Sequence, residues 1–185
     1  MNKKILVPLA NGFEEIEFIG IVDVLRRAGI EAIVAGLHGD GLYTGANKIQ
    51  IQADISLESV DSAYIDGIAL AGGFEGMENL KNNTHIISII QELYSQKKLV
   101  GAICASPIVL DKAGVIEGKD FTCYPGCESG LHGNRKNQAI VVQGNLVTSA
   151  GPATAILFGL EIVKILCGED TYKNLYEGLL VPLSK

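Results

Sequence analysis

Leu99-Val100-Gly101-Ala102-Ile103-Cys104-Ala105-Ser106-Pro107 holds the decision about the fold. A short, unbroken apolar run is the pattern of a parallel strand covered on both faces, because such a strand has no wet side for polar residues. The run stops at Cys104, and Pro107 brings the fixed φ that suits the first turn of a helix. The stretch therefore reads as a strand, one presented residue and a helix. Ala102 and Ser106, flanking Cys104 at two positions on either side, are small, as a sharp strand-to-helix elbow requires where backbone segments crowd.

Working outward, the same alternation recurs. Lys4–Leu9 reads as a buried strand, followed by a helix start at Asn11-Gly12-Phe13-Glu14, with Asn11 as N-cap and Glu14 answering it in a capping box. That helix runs to Ala28 with Gly29 as its stop, and Glu31–Gly36 is the next strand. Residues 37–54 are rich in turn signals, and Lys48-Ile49-Gln50-Ile51-Gln52 alternates, which predicts a small β-excursion with one wet face. Asp66–Ala71 is a buried strand closed by Gly72-Gly73, and a helix follows over His85–Gln96. Beyond the elbow a helix ends near Ala113. Ala139–Gln143 and Leu146–Ser149 flank the hairpin signal Gly144-Asn145. An apolar helix begins at Pro152 and ends at Gly168, and a polar helix covers Asp170–Leu180. Strands alternating with helices predict an α/β fold, a doubly wound and mostly parallel sheet sandwiched by helices, with reactive residues at the carboxyl ends of strands. Residues 1–185 contain no repeat, low-complexity tract or linker, so one domain is expected.

The chain has 48% hydrophobic and 19% charged residues, a globular balance, and 22 glycines that fit many tight turns. A net charge of −6 repels phosphate backbones and anionic bilayers, so neither nucleic acid nor membrane is an expected partner. No apolar run has the length of a membrane span. Met1-Asn2-Lys3-Lys4-Ile5 leads directly into a strand rather than a secretory leader. Four cysteines without a dense framework suit free thiols in a reducing compartment, so the expected location is cytoplasmic.

Cys104 sits just ahead of a helix N-terminus, whose free N–H groups and dipole favour a thiolate; the expectation is a depressed pKa and a reactive sulfur. The bland alternative is a small core residue, since cysteine is among the most buried types. Glu14 and Glu15 read as acids favourably placed at a helix start. Glu17 differs, because its helical neighbours Gly20, Ile21 and Val24 are apolar. It should point at buried ground, hold its proton more tightly than usual, and serve Cys104 as a hydrogen-bond partner and proton carrier; a plain surface glutamate is the alternative. Ala71-Gly72-Gly73-Phe74-Glu75-Gly76 matches no phosphate-binding loop. It reads either as a tight turn or as a backbone cradle in which Gly72 and Gly73, with Ala105, bind a substrate oxyanion. Cys123, Cys127 and His132, spaced C-x3-C-x4-H, lack a fourth ligand and the spacing of zinc fingers, so no metal is expected. Cys127 reads alternatively as a resolving thiol for oxidised Cys104. His132 is the accessory histidine candidate, on a loop that covers or misses the pocket, while His38, His85 and Cys167 read as surface or core residues.

Gly12-Phe13-Glu14-Glu15-Ile16-Glu17, Asp23-Val24-Leu25-Arg26-Arg27-Ala28-Gly29, Gly72-Gly73, Ala102-Ile103-Cys104-Ala105 and Ser149-Ala150-Gly151-Pro152-Ala153-Thr154-Ala155, taken in order, resemble the ThiJ/PfpI superfamily, which includes the parkinsonism-associated deglycases and a bacterial YajL-like branch. The resemblance implies a flavodoxin-like, class I glutamine amidotransferase-like domain, usually a homodimer, with an active-site cysteine at Cys104 and a hydrogen-bonding glutamate at Glu17. It implies activities of the glyoxalase III and protein deglycase type, chaperone action or oxidative-stress sensing. Some branches are peptidases, and older labels connect the ThiJ branch with thiazole monophosphate biosynthesis. The chain departs from the pattern in having Ala71 where many relatives have Pro, Asn47 near the place of an Arg, and Thr122-Cys123-Tyr124-Pro125 where many have a His; YajL-like members also carry Tyr at that place. Tyr124, with a phenol pKa near about 10, serves as a donor rather than a base at neutral pH. The expected protein is a cofactor-free enzyme acting on a small 2-oxoaldehyde or a glycated protein, with a redox sensor or redox-regulated chaperone as the alternative.

Overall fold

The computed structural model describes residues 3–183, so Met1 and Asn2 of the expected leader-free start, and Ser184 and Lys185, lie outside the described residues. The elements in chain order are β1 (Lys4–Leu9), α1 (Glu15–Arg27), β2 (Glu31–Gly36), β3 (Leu42–Thr44), β4 (Gln50–Gln52), β5 (Ile55–Ser56), β6 (Gly67–Leu70), α2 (Phe74–Asn82), α3 (Thr84–Ser95), β7 (Leu99–Ile103), α4 (Pro107–Lys112), β8 (Asp120–Phe121), β9 (Asn134–Arg135), β10 (Ile140–Gln143), β11 (Leu146–Ser149), α5 (Ala155–Cys167) and α6 (Glu169–Gly178). One seven-stranded sheet runs in the order β10-β11-β7-β6-β1-β2-β5. Every neighbouring pair in it is parallel except the hairpin β10–β11. β3 and β4 form a separate antiparallel hairpin, which is the expected excursion.

The apolar runs explain the layering. Every residue of β6 and β7 is buried, as strands with helices on both faces must be. α1 packs against α5, and α2, α3 and α4 form a second packed group. The helices of the first group come close because glycine faces a small or branched neighbour. A Cβ on Gly20 would lie 3.0 Å from that of Ala155, and one on Gly159 would lie 2.9 Å from that of Val24. Phe158 fills the space over Gly101 of β7 and is fully buried; truncating such a residue to Ala costs about 3–5 kcal/mol.

Several local expectations change. Asn11 does not cap α1. The cap is Glu14, whose carboxylate accepts the Glu17 N–H at 2.7 Å, while Asn11 accepts the Thr44 N–H at 2.9 Å and so ties the β3–β4 hairpin to the sheet. A side chain one methylene longer than Asn, three positions later, does the same capping work. α2 follows Gly73 directly where the sequence suggests only a turn. Its buried set is limited to Gly76, Met77 and Leu80, too sparse a stripe to stand out. β8 and β9, of two residues each, pair in parallel and carry no periodicity to read. No described helix is long and apolar enough to cross a membrane.

Candidate active site

The site begins as a backbone problem at the end of β7. Cys104 has φ +64°, in the left-handed region that non-glycine residues rarely occupy. Such a conformation costs roughly 1–3 kcal/mol and persists only where the surroundings over-determine it. Three segments do so here. The Cys104 N–H donates to the Ser149 carbonyl of β11 at 3.0 Å, and its carbonyl accepts the Tyr124 N–H at 2.9 Å. Ser106, fully buried two residues later, donates its hydroxyl to the Ala71 carbonyl past the end of β6 at 2.6 Å. The strained residue holds its side chain at the carboxyl edge of the sheet, with 9% of its surface exposed.

Glu17 arrives from α1. The apolar flank seen in the sequence turns it inward, and it is fully buried at 0% exposure. One carboxyl oxygen, Oε2, accepts the Gly72 N–H at 2.7 Å. The other, Oε1, is buried with no hydrogen-bond acceptor or donor assigned to it, and the carboxyl interacts with the Cys104 thiol. Burial raises the Glu17 pKa to about 7; the charge of Glu14 adds slightly, and the Gly72 N–H and the thiol pull the other way. An oxygen without a donor is the place for the proton that this raised pKa retains.

Cys104 itself departs from expectation. Burial first, then the charge and hydrogen bond of Glu17, then Cys127, push the thiol well above its ordinary range, and only the Ala105 N–H pulls it down. The helix-end argument is correct in sign, but α4 has only six residues, and a buried carboxylate beside the sulfur outweighs it. The two groups are coupled. An ionised Glu17 holds the proton on sulfur, whereas a protonated Glu17 removes that charge and turns an acceptor into a donor. At rest near neutral pH the sulfur keeps its proton, and the base able to take it stands against it.

Gly72 and Gly73 form the floor. A Cβ on Gly72 would come within 2.7 Å of both the Cys104 Cβ and the Glu17 Oε2, and 3.2 Å from the Ala105 nitrogen. Gly73, at φ +90°, caps α2 where a Cβ would strike the Gly12 carbonyl. The Gly72 carbonyl accepts the Glu14 N–H at 2.9 Å, which locks the floor to the start of α1. Gly72, Ala105 and Glu17 are thus brought together at Cys104. Tyr124 is joined to Cys104 through the backbone; its ring lies 3.3 Å from the Cβ position of Gly151 and is 46% exposed, forming an outer wall. Cys127 is buried and near enough to act on Cys104.

His132 is not brought to the site. Its ring pairs with Asp111 at 3.1 Å on the surface, so the C-x3-C-x4-H spacing does not converge; His38 and His85 are exposed. Cys123 is fully buried beside Glu128 and Arg135. The sequence reading missed one functional-looking contact. Glu15, taken for a helix-end acid, is buried, and accepts the Asn47 N–H at 2.6 Å and the Asn47 side-chain amide at 3.0 Å. It clamps the β3–β4 hairpin over the start of α1. The signal was the pairing of a first-turn acid with an Asn in a turn, which has no meaning until the hairpin folds back. The larger grooves, of about 600 and 670 Å³, open at the opposite end of the sheet around Lys3, Asp66 and Lys98.

The chain is similar to known proteins over nearly its whole length. The sequence model of the DJ-1/PfpI family matches residues 3–165. Protein dj-1beta of Drosophila melanogaster is 41% identical over 184 residues, 98% of each chain. The crystal structure of Drosophila melanogaster DJ-1beta superposes with a TM-score of 0.93 at 40% identity, covering 97% of this chain and 98% of that one. Toxoplasma gondii DJ-1, in an oxidised form, has a TM-score of 0.90 at 33% identity, covering 96% and 98%.

Proposed function

The chain belongs to the DJ-1/PfpI family, and from that premise we propose that it is a cofactor-free, cysteine-dependent enzyme of the glyoxalase III or deglycase type, acting on a small 2-oxoaldehyde such as methylglyoxal or on its protein adducts. The observation that carries the reading is a fully buried carboxyl, titrating near neutral pH, set against a strained elbow cysteine. Glu17, as carboxylate, takes the Cys104 proton as sulfur adds to the aldehyde carbon. The new alkoxide of the hemithioacetal is held by the N–H groups of Gly73 and Ala105. Glu17 hands the thiol proton on to the alkoxide oxygen and is a carboxylate again. It then takes the proton from the same carbon, leaving an enediolate in which the hydroxyl proton passes to the second oxygen. Delivery of the carbon proton to the neighbouring carbon converts the hemithioacetal into a thioester. Water cleaves the thioester, giving the 2-hydroxy acid lactate and restoring the thiol. Oxidant, metal and cofactor play no part, because the substrate is oxidised at one carbon and reduced at the next.

Methylglyoxal loss followed with wild type, Cys104→Ser and Glu17→Ala tests it; equal rates in all three would overturn it. Because Glu17 must be ionised to accept the thiol proton, kcat/KM should fall as pH drops through about 7. The redox-sensor reading is favoured by a different observation: a structurally similar relative exists in an oxidised form. A peptidase reading has no support, since it needs a histidine at the thiol. Within one domain, the exposed Ile16, Ile19, Ile49 and Ile156 lie on and beside α1, an apolar face suited to a second copy as the homodimer partner.

A further inference from the structure

The chemistry above uses Cys104 and leaves two buried thiols, Cys123 and Cys127, without a task. One of them is held in place by a well-defined device. Tyr124-Pro125-Gly126-Cys127 is a type II turn, with Pro125 at its second position, Gly126 at φ +94° and the Cys127 N–H donating to the Tyr124 carbonyl at 3.0 Å. The first residue of that turn donates its own N–H to the Cys104 carbonyl at 2.9 Å. Two consecutive backbone hydrogen bonds therefore lead from Cys104 to Cys127. Both cysteines are buried yet not sealed, at 9% and 7% exposure, and an ionised Cys127 acts on the Cys104 thiol.

We propose that Cys127 is the resolving thiol of Cys104 and that a hydroperoxide converts the pair into an intrachain disulfide. In the first step the Cys104 sulfur attacks the terminal peroxide oxygen, the O–O bond breaks, sulfur becomes a sulfenic acid and the peroxide is reduced to water or an alcohol. In the second, the Cys127 sulfur attacks the sulfenyl sulfur, the S–O bond breaks, and hydroxide leaves as water with the proton of Cys127. The overall change is a two-electron oxidation of two thiols, balanced by one peroxide.

The division of labour follows from the surroundings. Burial and a neighbouring carboxylate keep the proton on both thiols at rest. Cys104 takes the first step because it sits at the elbow with Glu17 against it as the base that receives its proton. The advantage of Cys127 is position, since a neighbouring group competes at high effective molarity. Cys123 is a weaker candidate because it is fully buried and faces Glu128 and Arg135 rather than the elbow. The turn lies outside the sheet, in the segment between β8 and β9, where the movement that disulfide geometry requires meets least resistance. A disulfide would stop Cys104 short of irreversible over-oxidation and suspend aldehyde turnover until a thiol reductant restores it.

The inference rests on the reactivity of Cys104 proposed above. The experiment treats the full chain with a small excess of hydrogen peroxide, blocks free thiols, and maps non-reduced peptides by mass spectrometry. The expected result is a Cys104–Cys127 linked peptide and an intact chain about 2 Da lighter; in Cys127→Ser, Cys104 should instead gain about 32 Da as sulfinic acid. Cys123→Ser should retain the link. The wild-type result decides even if Cys127→Ser does not fold. Sulfinic acid on Cys104 without a link, or a Cys123–Cys127 link, overturns the resolving role while leaving the enzyme reading intact. A Cys104 that stays reduced and turns over no methylglyoxal overturns both.

Discussion

Glu15 and Glu17 stand on the first turn of α1, both out of solvent, and meet opposite surroundings. On one side the β3–β4 hairpin gives Glu15 the Asn47 amide and backbone N–H groups, among them that of Ile49 at 3.4 Å. Burial pushes the Glu15 pKa up, but these hydrogen bonds outweigh it and the net direction is down. On the other side the elbow gives Glu17 the single Gly72 N–H and a thiol, and burial wins. Loss of solvent contact alone therefore does not decide protonation: Glu15 lies shallow beneath the hairpin and is met by several donors, whereas Glu17 lies deep and is met by one. A carboxylate with enough donors is a clamp, and one left short of them is a proton carrier.

The comparison breaks most severely if the floor between elbow and helix is filled. Gly72→Ala places a methyl where Glu17 Oε2 and Cys104 Cβ lie. Aldehyde turnover should drop by at least about 100-fold, because a displacement of about 1 Å at the reacting groups costs that much; denaturant melts should show a loss of about 1–3 kcal/mol from overpacking. Wild-type turnover in Gly72→Ala would mean that Glu17 and Cys104 need not touch.

Glu17→Gln separates activity from stability. Turnover should fall by about 100-fold or more through loss of the acid–base group. Stability should move the other way. The folded protein holds the Glu17 proton up to about 7, whereas the unfolded chain releases it near 4.5, so wild type is stabilised by this group below 4.5 and loses that advantage as pH rises to 7. The neutral amide escapes the loss, giving up to about 3 kcal/mol in favour of the variant at pH 8 and a flatter pH profile. Identical pH–stability curves for the two proteins would contradict the raised pKa.

Glu15→Gln should do the reverse. An amide offers one acceptor oxygen to the donors of Asn47 and Ile49, so stability at pH 7 should fall by about 1–3 kcal/mol while turnover changes little. With its pKa lowered, Glu15 contributes stability above 4.5 that is lost as pH falls through its folded value. The variant should therefore be less sensitive to acid than wild type. The smallest effect is expected from His132→Ala, which removes an exposed contact with Asp111. Turnover should be unchanged, and stability should move by no more than about 1 kcal/mol.

The same contrast explains what could be read in advance. The strand–elbow–helix at Cys104 and the inward face of Glu17 were legible because both depend on periodicity and on small residues at fixed offsets, properties local to a few turns of chain. The Glu15 clamp was not legible, because its partner Asn47 lies 32 positions away on a hairpin whose closure no local pattern announces. Asn11 misled for the same reason: its residue type suits a cap, and the hairpin claimed it first. The direction of the Cys104 shift was missed because a helix end is visible in sequence, whereas the charge of a group from another segment, weighed against burial, is a matter of distance in three dimensions. α2 was overlooked because glycines at both ends of its first turn look like a loop.

The bare floor at Gly72 and Gly73 also limits what this scaffold could be made to accept. With the peptide plane itself serving as the bottom of the pocket, there is no side chain to trim for a bulkier aldehyde. New breadth would have to be carved from the rim, where the ring of Tyr124 stands partly in water. A laboratory selection for larger aldehydes should therefore accumulate changes along that rim and leave both glycines untouched.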